Sequence, residues 1–263
     1  MKSIAAHLAR VFALVLLAGL ALQLFFALRI AAMLVLDPQS TTFQRAEAWR
    51  LLTTRHAIAW SQQWVDYPRI SDHLKRAVIA SEDAGFAEHS GVEWDALEKA
   101  WERNQKAEAR VEKINAQIDR RLQKAPPAKA AASKPLAHVQ AKVVGGSTIT
   151  QQLAKNLFLS GERNLLRKGQ EFAITFMLEA MLPKQRILEI YLNSVEWGEG
   201  VFGAEAAARH YFRIDARALS TGQAAQLAVM LPAPKRFEKR PGSAYVVGRA
   251  GTIAARMGGV ELP

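Results

Sequence analysis

Residues 11–28 are apolar at every position except Gln23, and after Arg29 the run resumes from 30 to 36. A bilayer is crossed by about 20 apolar residues in a helix, so this stretch is long enough to span one. A secretory signal has a shorter apolar core of ~7–15 residues followed by a small-x-small cleavage site. The run exceeds that, which predicts an uncleaved anchor over 11–36. Lys2 and Arg10 precede it and favour a cytoplasmic N-terminus at 1–10. Arg29 can snorkel to the far interface. The rest of the 263-residue chain is then expected beyond the cytoplasmic membrane. The formal net charge is +11, which calls for an anionic partner such as a phosphate-rich substrate or a membrane surface. The location makes nucleic acid an unexpected partner. With no cysteine, thiolate chemistry and disulfides are excluded.

The remainder reads as mainly helical, with no period-2 strand series and no repeat. Residues 37–66 form a linker and a membrane-proximal segment carrying Trp49, Trp60 and Trp64. These aromatics suit either a membrane interface or packing on the domain. Helical patterns are expected over 92–123, 164–182, 184–193, 204–212, 220–230 and 246–257. Pro183 separates the second from the third. A Pro/Ala/Lys stretch, KAPPAKAAASKP, interrupts the middle of the chain. From 102 to 142, ten Lys/Arg stand against four Asp/Glu, more than half of the excess positive charge. This basic insertion, 105–141, is read as a solvated arm or as one that touches anionic lipid.

Three stretches carry chemistry. Leu74, Val78 and Glu82 recur every four residues, so they share one helix face and Glu82 points inward. An inward carboxylate is costly unless it is paired or used. In GGSTITQQLAKN, 145–156, Thr148 and Gln151 have capping-box spacing. Gly145 and Gly146 permit close backbone approach or positive φ, and a glycine turn into a helix start is an anion site. Downstream, Arg163, Arg167 and Glu171 are spaced by four with Lys168 adjacent, and Asn164 can cap their helix. Alone, this is an ordinary surface ion-pair ladder. Beside Lys155 it becomes a cationic pocket for phosphate. Glu189 and Asn193, one turn apart, read as structural hydrogen-bonding partners, and Ile187, Leu188, Ile190 and Tyr191 as core. Six scattered histidines form no metal set.

These stretches together resemble the peptidoglycan glycosyltransferase family, the module that also forms the N-terminal half of class A penicillin-binding proteins. The matching motifs are EDAGFAEHSG at 82–91, GGSTITQQ at 145–152 with LAKN at 153–156, RKGQE at 167–171 and KQRILEIYLN at 184–193. They fall in the family order over roughly 65–235. There is no S-x-x-K and no K-T-G, so transpeptidase chemistry is not expected. The long insertion at 105–141 departs from the family pattern.

The resemblance implies a lysozyme-like helical glycosyltransferase domain over 67–263 behind one transmembrane helix. It places the protein in the bacterial inner membrane, single-pass, with its catalytic domain in the periplasm. The implied reaction polymerises lipid II into β-1,4-linked glycan, with inversion at C1 and release of undecaprenyl pyrophosphate. Glu82 matches the family's base and Glu171 its second glutamate, which either orients cations or holds a divalent ion. No cofactor is required with certainty, and Mg2+ or Mn2+ near Glu171 is the one to consider. Asp83, Phe86, Ser147, Thr148, Gln151, Gln152, Lys155, Asn156, Arg163, Arg167 and Lys168 are expected at the substrate. The expected partners are lipid II, the growing glycan strand, the membrane, and cell-wall synthesis or division proteins. The competing readings are a muramidase or lytic transglycosylase, which protonates a sugar leaving group, and a non-catalytic basic scaffold.

Overall fold

The computed structural model describes residues 2–124, 139, 145–162 and 164–263. Arg163, expected at the substrate, and most of the basic insertion beyond 124 therefore lie outside the described residues. The chain divides into one unit of residues 1–92 and 148–263 and another of residues 93–147.

In the larger unit, helix α1 (Lys2–Ala32) is long and apolar enough to cross a membrane. Its last turns leave the apolar pattern for a purpose. Phe26, Ile30 and, just beyond the helix, Met33 are buried in the core. Gln23 exchanges amide hydrogen bonds with Gln170, at 2.8 and 3.1 Å. The one polar residue of the apolar run is thus satisfied by Gln170, which ties the end of this apolar helix to the rest of the unit. Helix α2 (Thr42–Arg55) follows, started by a Thr41–Gln44 capping box.

Helix α3 (Asp72–Glu82) buries Leu74, Ala77 and Val78 completely, the face its spacing predicted. It stops at Asp83, whose φ of −163° and ψ of 74° break the helix, two residues before the glycine expected to end it. Helices α5 (Ile149–Phe158), α6 (Leu165–Met181) and α7 (Lys184–Ser194) pack beside it, with α9 (Thr221–Met230) and α11 (Ala244–Arg256) closing the core. Asn164 and Ser220 cap α6 and α9 with their side chains. Between α7 and α9 lies α8 (Ala204–Phe212), and α10 (Pro234–Phe237) is a single turn.

A small sheet was not expected. Strands β1 (Ser61–Gln62), β2 (Glu196–Gly198) and β3 (Val201–Phe202) run in the order β1-β3-β2, with β1 parallel and β2 antiparallel to β3. Gly200 turns β2 into β3 at φ +73°, where a Cβ would sit 2.0 Å from the Ala59 carbonyl oxygen. Only glycine fits that turn. Trp60 stacks on Phe202 at 4.5 Å, and Trp64 packs against the core under Arg186, so these two aromatics belong to the domain. Asn193 holds both backbone groups of Val65 at 2.9 Å, and Glu189 accepts from Tyr67 N–H. The two are structural partners of the linker segment, as read.

In the smaller unit, helix α4 (Trp94–Lys124) contains the start of the expected insertion. Gly146 lies close against it: an added Cβ would come within 3.0–3.2 Å of Ala100, Ala96 and Leu97. Of the two roles open to this glycine, close approach is therefore the one found.

Candidate active site

Glu82 stands on the last turn of α3, partly buried. Its Oε2 accepts from Gln152 Nε2 at 3.1 Å and its Oε1 from Ser81 Oγ at 3.3 Å. Burial pushes its pKa above the ordinary carboxylate value, those two hydrogen bonds partly offset this, and the Asp83 charge adds to it. Tyr191, on α7, fixes the direction of Gln152. Its hydroxyl donates to Gln152 Oε1 at 2.9 Å, which leaves the amide N–H to face Glu82. Tyr191 is buried, and burial with the nearby Glu82 and Asp83 charges raises its pKa far above the usual phenol value, so it stays a proton donor. From its spacing Tyr191 reads only as core. Its hydroxyl is the part that sequence periodicity does not register.

Asp83, expected at the substrate, is engaged within the chain. It is buried, accepting the Ile149 N–H at 2.9 Å through one oxygen and facing His89 Nε2 at 2.7 Å through the other. His89 Nδ1 accepts from Gly91 N–H, so Nε2 carries the proton that Asp83 accepts. The positive end of α5 is therefore already occupied by the chain's own carboxylate. Thr148 and Gln151 form the predicted capping box. Both are buried, and the Thr148 hydroxyl also donates to Gly91 O at 2.6 Å. They build the helix start. Phe86 is likewise fully buried in the core under Lys184 Nζ, 4.6 Å from the ring centre. It supports the loop after α3 from inside the core. Ser147 is exposed in the smaller unit.

The remaining expected residues do converge. Gln152, Lys155, Asn156 and Arg167 line one cavity of about 330 Å³, with Glu196 on its wall. Lys155 is exposed, and Gln152 links the cavity to Glu82. Arg167 donates through NH1 to Glu171 Oε2 at 2.8 Å, while its Nε is buried with no hydrogen-bond partner. A buried unpaired guanidinium donor on a cavity wall fits an anion that completes it.

Glu171 is only 3% exposed, and both its oxygens are taken, one by Arg167 and one by Lys168. Lys168 does not line the cavity itself. Of the two roles open to Glu171, orienting cations is the one this geometry serves. A carboxylate already shared by two cations does not fit a divalent ion as well, because adding one brings a third positive centre onto the same oxygens. The arrangement at Glu171 is that of a carboxylate holding two cations in place. Two residues of this site were not singled out from sequence: the Tyr191 hydroxyl and Glu196.

The chain matches the family model described as Transglycosylase over residues 51–120 and 126–258. It is 52% identical over 246 residues to a protein of Burkholderia thailandensis named biosynthetic peptidoglycan transglycosylase, covering 94% of this chain and 84% of that one. A protein of the same name from Cupriavidus metallidurans is 53% identical over 251 residues, covering 92% and 93%. One from Paraburkholderia phytofirmans is 48% identical over 251 residues, covering 95% and 91%.

Proposed function

This chain belongs to the transglycosylase family and is a peptidoglycan glycosyltransferase, and from that premise we propose that it polymerises lipid II at the Glu82–Arg167 site by a single inverting displacement. The helical domain is of the lysozyme-like kind that the family implies. In the proposed step the 4-hydroxyl of the incoming GlcNAc gives its proton to Glu82 as its oxygen bonds to C1 of the growing strand's muramic acid. The bond from C1 to the pyrophosphate oxygen breaks, and undecaprenyl pyrophosphate leaves as an anion. Such a leaving group needs positive charge and no proton. Lys155 and Arg167 supply it, with Glu171 and Lys168 fixing the guanidinium.

Gln152 and Asn156 hold donor oxygens on the cavity wall. Tyr191 keeps the Gln152 amide turned so that Glu82 is held ionised and aimed. The observation that carries the reading is the single cavity in which Lys155 and the unpaired Nε of Arg167 meet Gln152, whose other face holds Glu82.

The placement at a bilayer has its own support. α1 ends against α6 through Gln23 and Gln170, and Leu165 and Leu166 at the start of α6 are 91% and 89% exposed. Two bare leucines beside the pocket's cations suit a surface that meets lipid and phosphate together. The domain then lies on the periplasmic side of the inner membrane, held by α1, with lipid II entering from the bilayer. The elevated Glu82 pKa is a feature shared with glycan-cleaving enzymes, whose acid must carry a proton. Labelled lipid II in detergent and finished peptidoglycan, given separately to the full-length protein, separate the two. Polymer from lipid II and no fragments from peptidoglycan is the expected result. Soluble fragments without polymer would make the protein a hydrolase.

A further inference from the structure

Glu196, the first residue of β2, has no place in the reaction as described, yet it lines the same cavity as Lys155 and Arg167. It is 6% exposed, and its Oε1 is buried with no hydrogen-bond partner. The nearest cation is Lys235, whose Nζ lies 3.4 Å from that oxygen but 2.5 Å from Glu47. Glu47 also takes both donors of Arg50, at 2.6 and 2.9 Å. Glu199 is held by Arg50 and Arg55, and Glu238 accepts the Glu199 N–H. Four carboxylates here, Glu47, Glu196, Glu199 and Glu238, share three cations, Arg50, Arg55 and Lys235. Among the described residues Glu238 is held by a backbone N–H and no cation, Glu196 has only the longer contact to Lys235, and of the four it is Glu196 that lines the cavity.

A buried carboxyl with a spare oxygen meets an anion in one of two ways. Ionised, it repels the phosphate that Lys155 and Arg167 attract. Protonated, it becomes an O–H donor alongside them. We propose that Glu196 is a further substrate-binding residue of this pocket, which receives the lipid pyrophosphate as a neutral carboxylic acid and donates a hydrogen bond to a phosphate oxygen, so that binding takes up a proton from solvent. This rests on the pocket being the pyrophosphate site. The group is well placed to do so: burial first, then the Glu47 and Glu238 charges, push its pKa up to about 7, against the pull of Lys235. Tyr211, with its pKa raised well above the usual phenol value by burial and by Glu238 and Glu196, stays uncharged beside them. On the cavity side the other charged lining residues are Lys155, Arg167 and the exposed Glu162.

Lipid II is a pyrophosphate diester, so its phosphate charges stay constant between pH 6 and 8, and binding can be read without turnover in a Glu82→Gln background. Its affinity for this protein is expected to fall about tenfold from pH 6 to pH 8, as one carboxyl with a pKa near 7 ionises. With Glu196→Gln added, affinity stays within about twofold across that range, near the pH 6 value, because a neutral amide still donates. Equal falls in both proteins, or weak binding at both pH values, would overturn the proposal. Calorimetry with Glu196 intact, in buffers of different ionisation enthalpy, gives a second reading that depends on no change at position 196. Net proton uptake at pH 7 is expected, and none would refute the idea. A Lys155→Ala arm separates the two levels: if it leaves affinity unchanged, the pocket itself is wrong. If it weakens binding while Glu196 shows no pH effect, only this inference fails.

Discussion

Glu82→Gln is expected to lower lipid II polymerisation by about 10²–10⁴-fold, the usual worth of a positioned general base, and to raise the melting temperature at pH 7–8. The two effects have one cause. Burial raises the Glu82 pKa above its unfolded value, with the Gln152 and Ser81 hydrogen bonds only partly compensating. A group whose folded pKa is raised favours the fold while it is protonated. That contribution is present below the unfolded pKa and is lost as pH rises through the folded one. Near neutrality the wild type therefore carries a partly buried carboxylate at some cost, and glutamine removes the charge while still accepting the Gln152 N–H. An inactive variant that also melts lower would indicate damage to the fold. A stable variant that polymerises at a near-normal rate would remove Glu82 as the base.

Lys155→Ala is expected to cost about 10²–10³ in kcat/KM, the range found when one charge-stabilising donor is deleted from a transition-state site. Lys155 is exposed on α5 and lines the cavity, so its loss should barely move the melting temperature. Lys155→Arg should recover much of the rate, because the positive charge is kept at a similar reach. Unchanged lipid II turnover in Lys155→Ala would mean that the pyrophosphate departs elsewhere. The same deletion at Arg167 is less clean, since it strips Glu171, 3% exposed, of one of its two cations and mixes folding with catalysis.

Much of this architecture is legible in the sequence where a local rule has a strong period or a specific cap. The long apolar N-terminal helix, the inward face of α3, the Thr148–Gln151 box, the Asn164 cap and the Pro183 break all follow from such rules. What was missed needed information from residues far away in the chain. The sheet has strands of two and three residues, too short for an alternation to show. Position 86 sits in a family motif, but only the tertiary packing reveals that its ring is sealed in the core. The polar start of α5 looked like a site for an outside anion. It is satisfied by Asp83, 66 residues earlier, and a sequence window cannot see that partner. Glu196 stands apart for the same reason. Its importance comes from a shortage of cations among residues on α2, β2 and α10, and no motif spans them. Glu171 stands out in the sequence by its spacing from Arg167, but it takes the structure to show both of its oxygens already engaged.

The acid side of the pH profile for a single turnover of pre-bound lipid II tests the central claim most directly, because it isolates the proton-accepting step from binding. If Glu82 is the base, the rate falls tenfold per pH unit below a midpoint that lies above the ordinary carboxylate value, the direction that burial imposes. The residual rate of Glu82→Gln should lack that limb. A wild-type rate that stays flat down through the ordinary carboxylate range, or a limb that persists unchanged in Glu82→Gln, would contradict the account.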